Sequence, residues 1–416
     1  MSSHIYIRSN SHITGTAFQL SSSKSISNRA LLLKALSNNQ SSVSNLSSAR
    51  DTQLMNRLVT SDEKVIDVLD AGTTMRFLSA YFALSGKNKI LTGTARMKER
   101  PIELLVNALR KIGASIIYLE KEGFPPIETQ GFERQLTNQI EMPGNVSSQY
   151  ISALMMVAPS LPQGLIINLT GEIGSIPYIK MTAELISQFG VAVNLNLEAK
   201  EIKIQNSKFK IAEVVVEADW SSASYWFGFT ALATSAEITL LNVSEESLQG
   251  DRVIMDVMDK LGVQSDFRNG NLYLTKKAAE KNILWDFRNC PDLAQTVLPV
   301  CAAKGINGEF VGLESLRIKE TDRIAALQNE LAKIGATLTE TTTGNWKLET
   351  NNWKLETGNW KLEINTYHDH RMAMGFAPWA TLIDLKIESP EVVNKSYPGF
   401  WKDMESVGFE IKMEEN

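Results

Sequence analysis

The run Arg-Ile-Lys-Glu-Thr-Asp-Arg at 317–323 leads straight into Ile-Ala-Ala-Leu-Gln-Asn-Glu-Leu-Ala-Lys-Ile-Gly. Ile324, Leu327, Leu331 and Ile334 recur at helical spacing and define one buried stripe. Winding back at about 100° per residue puts Glu320 on the same inward arc, with Lys319 and Arg323 on its flank at i and i+4. Such a turn would offer a carboxyl able to carry a proton, two cations and unpaired backbone N–H groups. That equipment suits binding and protonation of an anion. A capped surface helix would look the same at any one position, but the chain repeats the arrangement.

Polar loops lead into apolar helices again and again. SSSKSISNRALLLKALS (21–37) brings Lys24, Ser25 and Arg29 to a helix start, and LDAGTTMRFLSAYFALS (69–85) brings Gly72. RMKERPIELLVNAL places Arg100 before Pro101, a residue suited to a first helical position. GNVSSQYISALMMVAP leads with Ser147, Ser148 and Gln149. DWSSASYWFGFTALA, NCPDLAQTVLPVCAA with Asp292, DHRMAMGFAPWATL with Arg371, and NKSYPGFWKDMESVG with Lys395 continue the series. Taken singly, a hydroxyl at such a start is an N-cap. Helices aiming these starts at a common cleft would form a receptor for several anionic groups at once.

The scaffold is written as a repeat. A helix end followed by glycine and a strand-like run occurs at Gly113, Gly190, Gly262, Gly335 and Gly408, at spacings of about 77, 72, 73 and 73 residues. Each spacing fits a unit of two helices and several strands. The helix at 51–60 runs almost directly into the next unit, so the first copy has lost its terminal hairpin. Six units suggest two domains of three. The stretch 344–364 is a tandem duplication, GNWKLET, NNWKLET and GNWKLEI, of which one copy completes the hairpin after Gly335. The extra copies would lengthen that hairpin or bulge with exposed tryptophans.

Composition narrows the classes. The 416 residues are 43% hydrophobic and 21% charged, with a net charge of −5 that disfavours broad nucleic-acid binding. Any basic site must be a local, focused pocket. No apolar run reaches membrane-spanning length, and no secretory or transit segment precedes His4. Cys290 and Cys301 are too few for a disulfide framework, and the four histidines lack paired-ligand spacing for a metal. The expectation is a cytoplasmic monomer handling small molecules, with no nucleic-acid or membrane partner.

The chain resembles the 5-enolpyruvylshikimate-3-phosphate synthase (3-phosphoshikimate 1-carboxyvinyltransferase) family over nearly its whole length. The match is carried by SKSISNRALLLKAL, DAGTTMRFLSA, LTGTARMKERPIELLVNALR, GNVSSQYISALMM, SIPY, DWSSASY, RIKETDR, DHRMAM and NKSYPGF. The resemblance implies an α/β (α+β) fold, a two-domain inside-out α/β barrel with three βαβαββ-type repeats per domain. It implies an N-terminal domain at 23–217 on the shikimate 3-phosphate side, and a C-terminal domain at 1–22 and 218–416 on the phosphoenolpyruvate side. It further implies enolpyruvyl transfer from phosphoenolpyruvate to the 5-hydroxyl of shikimate 3-phosphate, without metal or cofactor.

By motif match, phosphoenolpyruvate would meet Lys24, Arg100, Gln149, Arg323, Arg371 and Lys395, with Gly72 beside its pocket. Shikimate 3-phosphate would meet Ser25, Arg29, Ser147, Ser148, Ser175, Tyr178, Asp292 and Lys319, with Ser315 where the family has a phosphate-contacting asparagine. Glu320 is the expected carbon acid, Asp292 the base toward the hydroxyl, and Lys24 the partner of departing phosphate. Asp70 and Phe77 depart from the family's usual asparagine and proline. Gly72, retained, implies sensitivity to glyphosate. Two other readings remain: the sister transferase acting on UDP-N-acetylglucosamine, which matches poorly at KERPIE, SSQY and KETDR, and a non-catalytic phosphometabolite-binding paralogue.

Overall fold

A computed structural model describes residues 3–17, 20–350 and 362–414. The chain divides into two compact units, one of residues 1–22 with 217–416 and one of residues 23–216.

Each unit holds three small sheets built on one plan. In the strand run Gln139–Pro143, Leu165–Thr170, Val193–Asn196 and Glu201–Ile204, the first two strands pair in parallel. The last two form a hairpin whose final strand lies antiparallel to the second. The helices Ser148–Val157 and Ile176–Gln188 make the two crossovers, so the unit reads βαβαββ. The same order recurs in the sheets around Lys89–Thr92, Ser235–Leu240, Asn307–Val311 and Leu385–Glu388. The sheet formed by Glu213–Val215 and Ser42–Ser44 has only a parallel pair, because the helix Arg50–Leu58 passes into the strand Val65–Asp67 with no hairpin between. The expected loss in the first copy is therefore where the sequence placed it.

Gly113, Gly190, Gly262, Gly335 and Gly408 all have positive φ, between 78° and 125°. Each lets its helix stop and turn into the hairpin without a Cβ penalty. The N-terminal strand His4–Ile7 fills the fourth position of the sixth sheet, between Leu385–Glu388 and Ile411–Glu414. This closure joins the two ends of the chain in one sheet, something no local pattern encodes.

Alternating strands bury one face, and several crossover helices are buried almost all round. Trp220, Trp226, Phe227 and Phe229 on Trp220–Leu232 are fully buried. The polar starts of such helices are then the groups left to face a ligand.

Within the duplicated stretch, the first copy forms the strand Asn345–Thr350, which buries Trp346 and Leu348 and pairs with Ala336–Thr342 and Asn307–Val311. The end of the third copy, Leu362–Ile364, belongs to the next sheet and pairs in parallel with Leu385–Glu388. Trp353 and Trp360, expected to be exposed, lie outside the described residues.

Candidate active site

In the unit of residues 23–216, Ser23 caps the helix Lys24–Leu36 by accepting from the Ile26 amide. Lys24 Nζ lies 3.1 Å from Asp51 Oδ2 on the neighbouring helix. One turn on, Arg29 is buried. It donates to Thr182 Oγ1 at 2.7 Å, Ser152 Oγ at 3.1 Å and the Ser25 carbonyl at 2.9 Å. Its guanidinium lies 5.3 Å from the Phe77 ring centroid and 5.8 Å from that of Tyr178. Phe77, unusual at this place, thus supplies an aromatic face to a cation. Burial pushes the Arg29 pKa down to about 10, opposed by Tyr178.

The helix Gly72–Leu84 begins beneath a second arginine. A Cβ at Gly72 would lie 2.7 Å from both Nη1 and Nη2 of Arg100, so only glycine leaves room for that guanidinium. Thr73 accepts from Gln149 Nε2 at 3.0 Å, tying two helix starts together. Ser147 caps the helix Ser148–Val157 and is exposed, whereas Ser148 is buried. Ser175 precedes the helix Ile176–Gln188 in a left-handed conformation, φ 54°. Asp70 is paired with Arg50 at 2.6 Å, so its acid charge is compensated. Arg76 serves packing: it donates to the carbonyls of Gly72 and Pro101 and lies over the Tyr150 ring. Pro101 stands before the helix Glu103–Ile112, outside the first helical position expected for it, because Ile102 takes the N-cap.

In the other unit a single buried network gathers most of the remaining residues. Asp292, on the short turn Pro291–Leu293, lies 2.9 Å from Arg323 Nη1, 3.1 Å from Arg371 Nη2 and 3.6 Å from Lys319 Nζ. Glu320 lies 2.9 Å from Arg323 Nη2 and 3.3 Å from Lys395 Nζ. Asp369 accepts from Arg323 Nε at 2.6 Å and from Nη2 at 3.3 Å. Asp369 also caps the helix His370–Phe376 through the Arg371 amide. His370 is buried with Nδ1 3.5 Å from Asp369.

The helical placement of Lys319 and Glu320 is corrected. Asp322 accepts from the Ile324 and Ala325 amides and starts the helix at Arg323. Lys319 is extended and Glu320 lies in the loop ahead of it, after the turn Glu314–Ile318. The cap competes for those first amides and wins, so the carboxyl reaches the network from a loop. Ser315 is exposed on that turn.

Burial alone would raise the Asp292 pKa, but Arg371, Lys319 and Arg323 outweigh it and hold the carboxyl well below its ordinary range. Burial lowers that of Lys319, partly offset by Asp292. Arg323, despite its burial, is held above its ordinary value by Asp369, Glu320 and Asp292. The cations that would grip an anion are thus engaged by internal carboxylates. Phosphate or carboxylate groups of a ligand would replace those partners, and Asp292 would become more basic as its cations are taken.

No motif or spacing pointed to several partners in these networks. Asp51, Thr73, Ser152 and Thr182 orient the cations and the amide of the first unit, while Ser221, Tyr225 and Asp251 surround Arg371 in the second. Asp369 carried a usable signal, since an Asp before a helical run is a cap.

Comparison with known proteins bears on this geometry. The family model described as EPSP synthase (3-phosphoshikimate 1-carboxyvinyltransferase) matches residues 7–61 and 56–404. A 3-phosphoshikimate 1-carboxyvinyltransferase of Bacteroides fragilis is 44% identical over 95% of this chain and 96% of its own length. Its counterpart from Shewanella woodyi is 35% identical, over 91% and 94%. A solved EPSP synthase from Acinetobacter baumannii superposes with a TM-score of 0.75 over the whole of both chains at 20% identity, a likeness of fold.

Proposed function

The chain belongs to the EPSP synthase family, and from that premise we propose how its residues divide the work. The reaction is transfer of the enolpyruvyl group of phosphoenolpyruvate to the 5-hydroxyl of shikimate 3-phosphate, with release of phosphate, in aromatic amino-acid biosynthesis. The observation that carries the assignment of residues is the meeting of the part-buried Asp292, Lys319 and Glu320 with the buried Arg323, Arg371 and Lys395. Two polyanionic substrates need such a set, and a neutral ligand would not repay its burial.

Phosphoenolpyruvate draws on Arg323, Arg371 and Lys395, and on Lys24, Arg100 and Gln149 with Gly72 beside them. Shikimate 3-phosphate draws on Ser25, Arg29, Ser147, Ser148, Ser175, Tyr178, Asp292, Lys319 and Ser315. Glu320 gives its proton to the methylene carbon as the substrate hydroxyl oxygen bonds the adjacent carbon, and Asp292 receives the hydroxyl proton. Phosphate then leaves with the C–O bond electrons, steadied by Lys24, while the new methyl group returns a proton to the Glu320 carboxylate and the double bond re-forms. Substrate anions that compete for Arg323 and Lys395 loosen the hold of both cations on Glu320, which couples its role to binding.

Phosphate release should require both phosphoenolpyruvate and shikimate 3-phosphate, and should not occur with UDP-N-acetylglucosamine as acceptor. Glu320→Gln should lower kcat about 10²- to 10⁴-fold; undiminished turnover would remove Glu320 from its role. Glyphosate should inhibit at low phosphoenolpyruvate. Among the described residues no helix is long and apolar enough to cross a membrane. We place the enzyme in the cytoplasm as a monomer, which light scattering of the purified chain checks.

A further inference from the structure

The acid at the centre of this inference is Asp251, in Gln-Gly-Asp at 249–251, which carries no role in the reaction above. Its side chain is buried on the short turn Gly250–Val253. One carboxylate oxygen accepts from the Ser221 hydroxyl, while the other, Oδ1, is buried with no hydrogen-bond partner. Ser221 Oγ in turn accepts from Arg371 Nη2 at 3.2 Å, and the same nitrogen donates to Asp292 at 3.1 Å. A chain of contacts therefore runs from Asp251 through one hydroxyl to the guanidinium assigned to phosphoenolpyruvate.

The charged and titratable groups around Asp251 come from every side. They are Arg371 on the helix His370–Phe376, Asp292 on the turn Pro291–Leu293, Asp219 at the start of Trp220–Leu232, and the Cys290 thiol. Only Arg371 among them favours the ionised acid. A buried carboxylate with one oxygen unbonded is costly to keep charged, so this is a place where a proton is readily held.

We propose that Asp251 is a positioning residue that orients Arg371 through Ser221 and, by gaining or losing a proton, sets how strongly Arg371 attracts phosphoenolpyruvate. The inference rests on the reading of Arg371 as a phosphoenolpyruvate ligand. Burial, with help from Asp292 and Asp219 and against Arg371, pushes the Asp251 pKa up to about 6. Ionised Asp251 and Asp292 together offset the charge of Arg371. Protonation of Asp251 leaves more of that charge for the incoming anion. By linkage, if the bound anion raises the pKa of Asp251 by half to one unit, the protonated enzyme binds it roughly three- to tenfold more tightly.

The test measures KM for phosphoenolpyruvate, at saturating shikimate 3-phosphate, from pH 5 to 8 in the full chain and in Asp251→Asn. The substrate's own phosphate titrates in this range but is common to both proteins. In the unsubstituted chain KM should rise about three- to tenfold more across the range than in Asp251→Asn. The asparagine keeps an acceptor for Ser221, so kcat should change little. Asp251→Ala removes the orienting contact and should raise KM for phosphoenolpyruvate at every pH while leaving that for shikimate 3-phosphate in place. Identical pH profiles for the unsubstituted chain and Asp251→Asn would overturn the proposal. An unsubstituted chain that released no phosphate would instead overturn the assigned reaction, so the two failures are distinct.

Discussion

Replacing Arg323 with methionine tests the electrostatic logic most directly. Arg323 is 2% exposed and its three nitrogens serve three carboxylates, Asp369, Asp292 and Glu320. Methionine fills much of the volume but supplies no charge. Asp292 would keep Arg371 and Lys319, and Glu320 would keep Lys395. Asp369, fully buried, would retain the Arg371 amide and the nearby His370 ring, and lose its two guanidinium bonds. Removing one partner of a buried pair costs about 3–5 kcal/mol. For a unit of this size that corresponds to a Tm lowered by roughly 6–20 °C. Adding Asp369→Asn removes the stranded charge and should return about 2 kcal/mol of the loss. Thermal unfolding followed by circular dichroism, on both singles and the double variant, reads each number. A double variant no more stable than the sum of its singles would refute the account of Asp369 as the carboxylate left stranded when Arg323 is removed.

Three further outcomes follow from the same geometry. Gly72→Ala places a methyl group 2.7 Å from the Arg100 guanidinium nitrogens, so the arginine must move, and KM for phosphoenolpyruvate should rise about tenfold or more, measured by steady-state phosphate release. Asp251→Asn should raise thermal stability at pH 7.5 by about 2–3 kcal/mol and change it little at pH 4, read by melts at both values. The sign follows because the folded pKa, about 6, lies above the ordinary 3.8, so the native state keeps a proton that the unfolded chain releases, and stability falls as pH rises between them. Asp70→Asn should leave Arg50 without its carboxylate at a pair that is partly exposed, and cost no more than about 1 kcal/mol in urea unfolding.

The parts of this molecule written in short-range pattern were readable. Gly113, Gly190, Gly262, Gly335 and Gly408 marked helix ends because a left-handed residue is a local need that glycine meets. Capping residues such as Ser23, Ser147 and Asp369 marked helix starts for the same reason. What escaped depends on distant segments meeting. The strand His4–Ile7 completing the sheet of Leu385–Glu388 is a pairing across nearly the entire chain. Lys24 with Asp51 joins two helices of the shortened repeat, Gln149 with Thr73 and Arg371 with Ser221 join separate repeats, and no periodicity predicts such partners. The error at Glu320 was one of competition: the stripe from Ile324 onward was right, but extending it backward ignored the stronger cap at Asp322.

The strand Asn345–Thr350 reads Asn-Trp-Lys-Leu-Glu-Thr, and the same six letters stand again at 352–357. Seven is odd, so in one continuous strand the second tryptophan would face away from the side that buries the first. A second copy is therefore not needed for the face that Trp346 and Leu348 bury. Excising 351–357 would leave four residues before Leu362, close to the five that separate Lys276 from Asn282 in a sister repeat. A chain shortened there by one seven-residue unit would therefore still carry a linker of about the length that a sister repeat uses between its sheets.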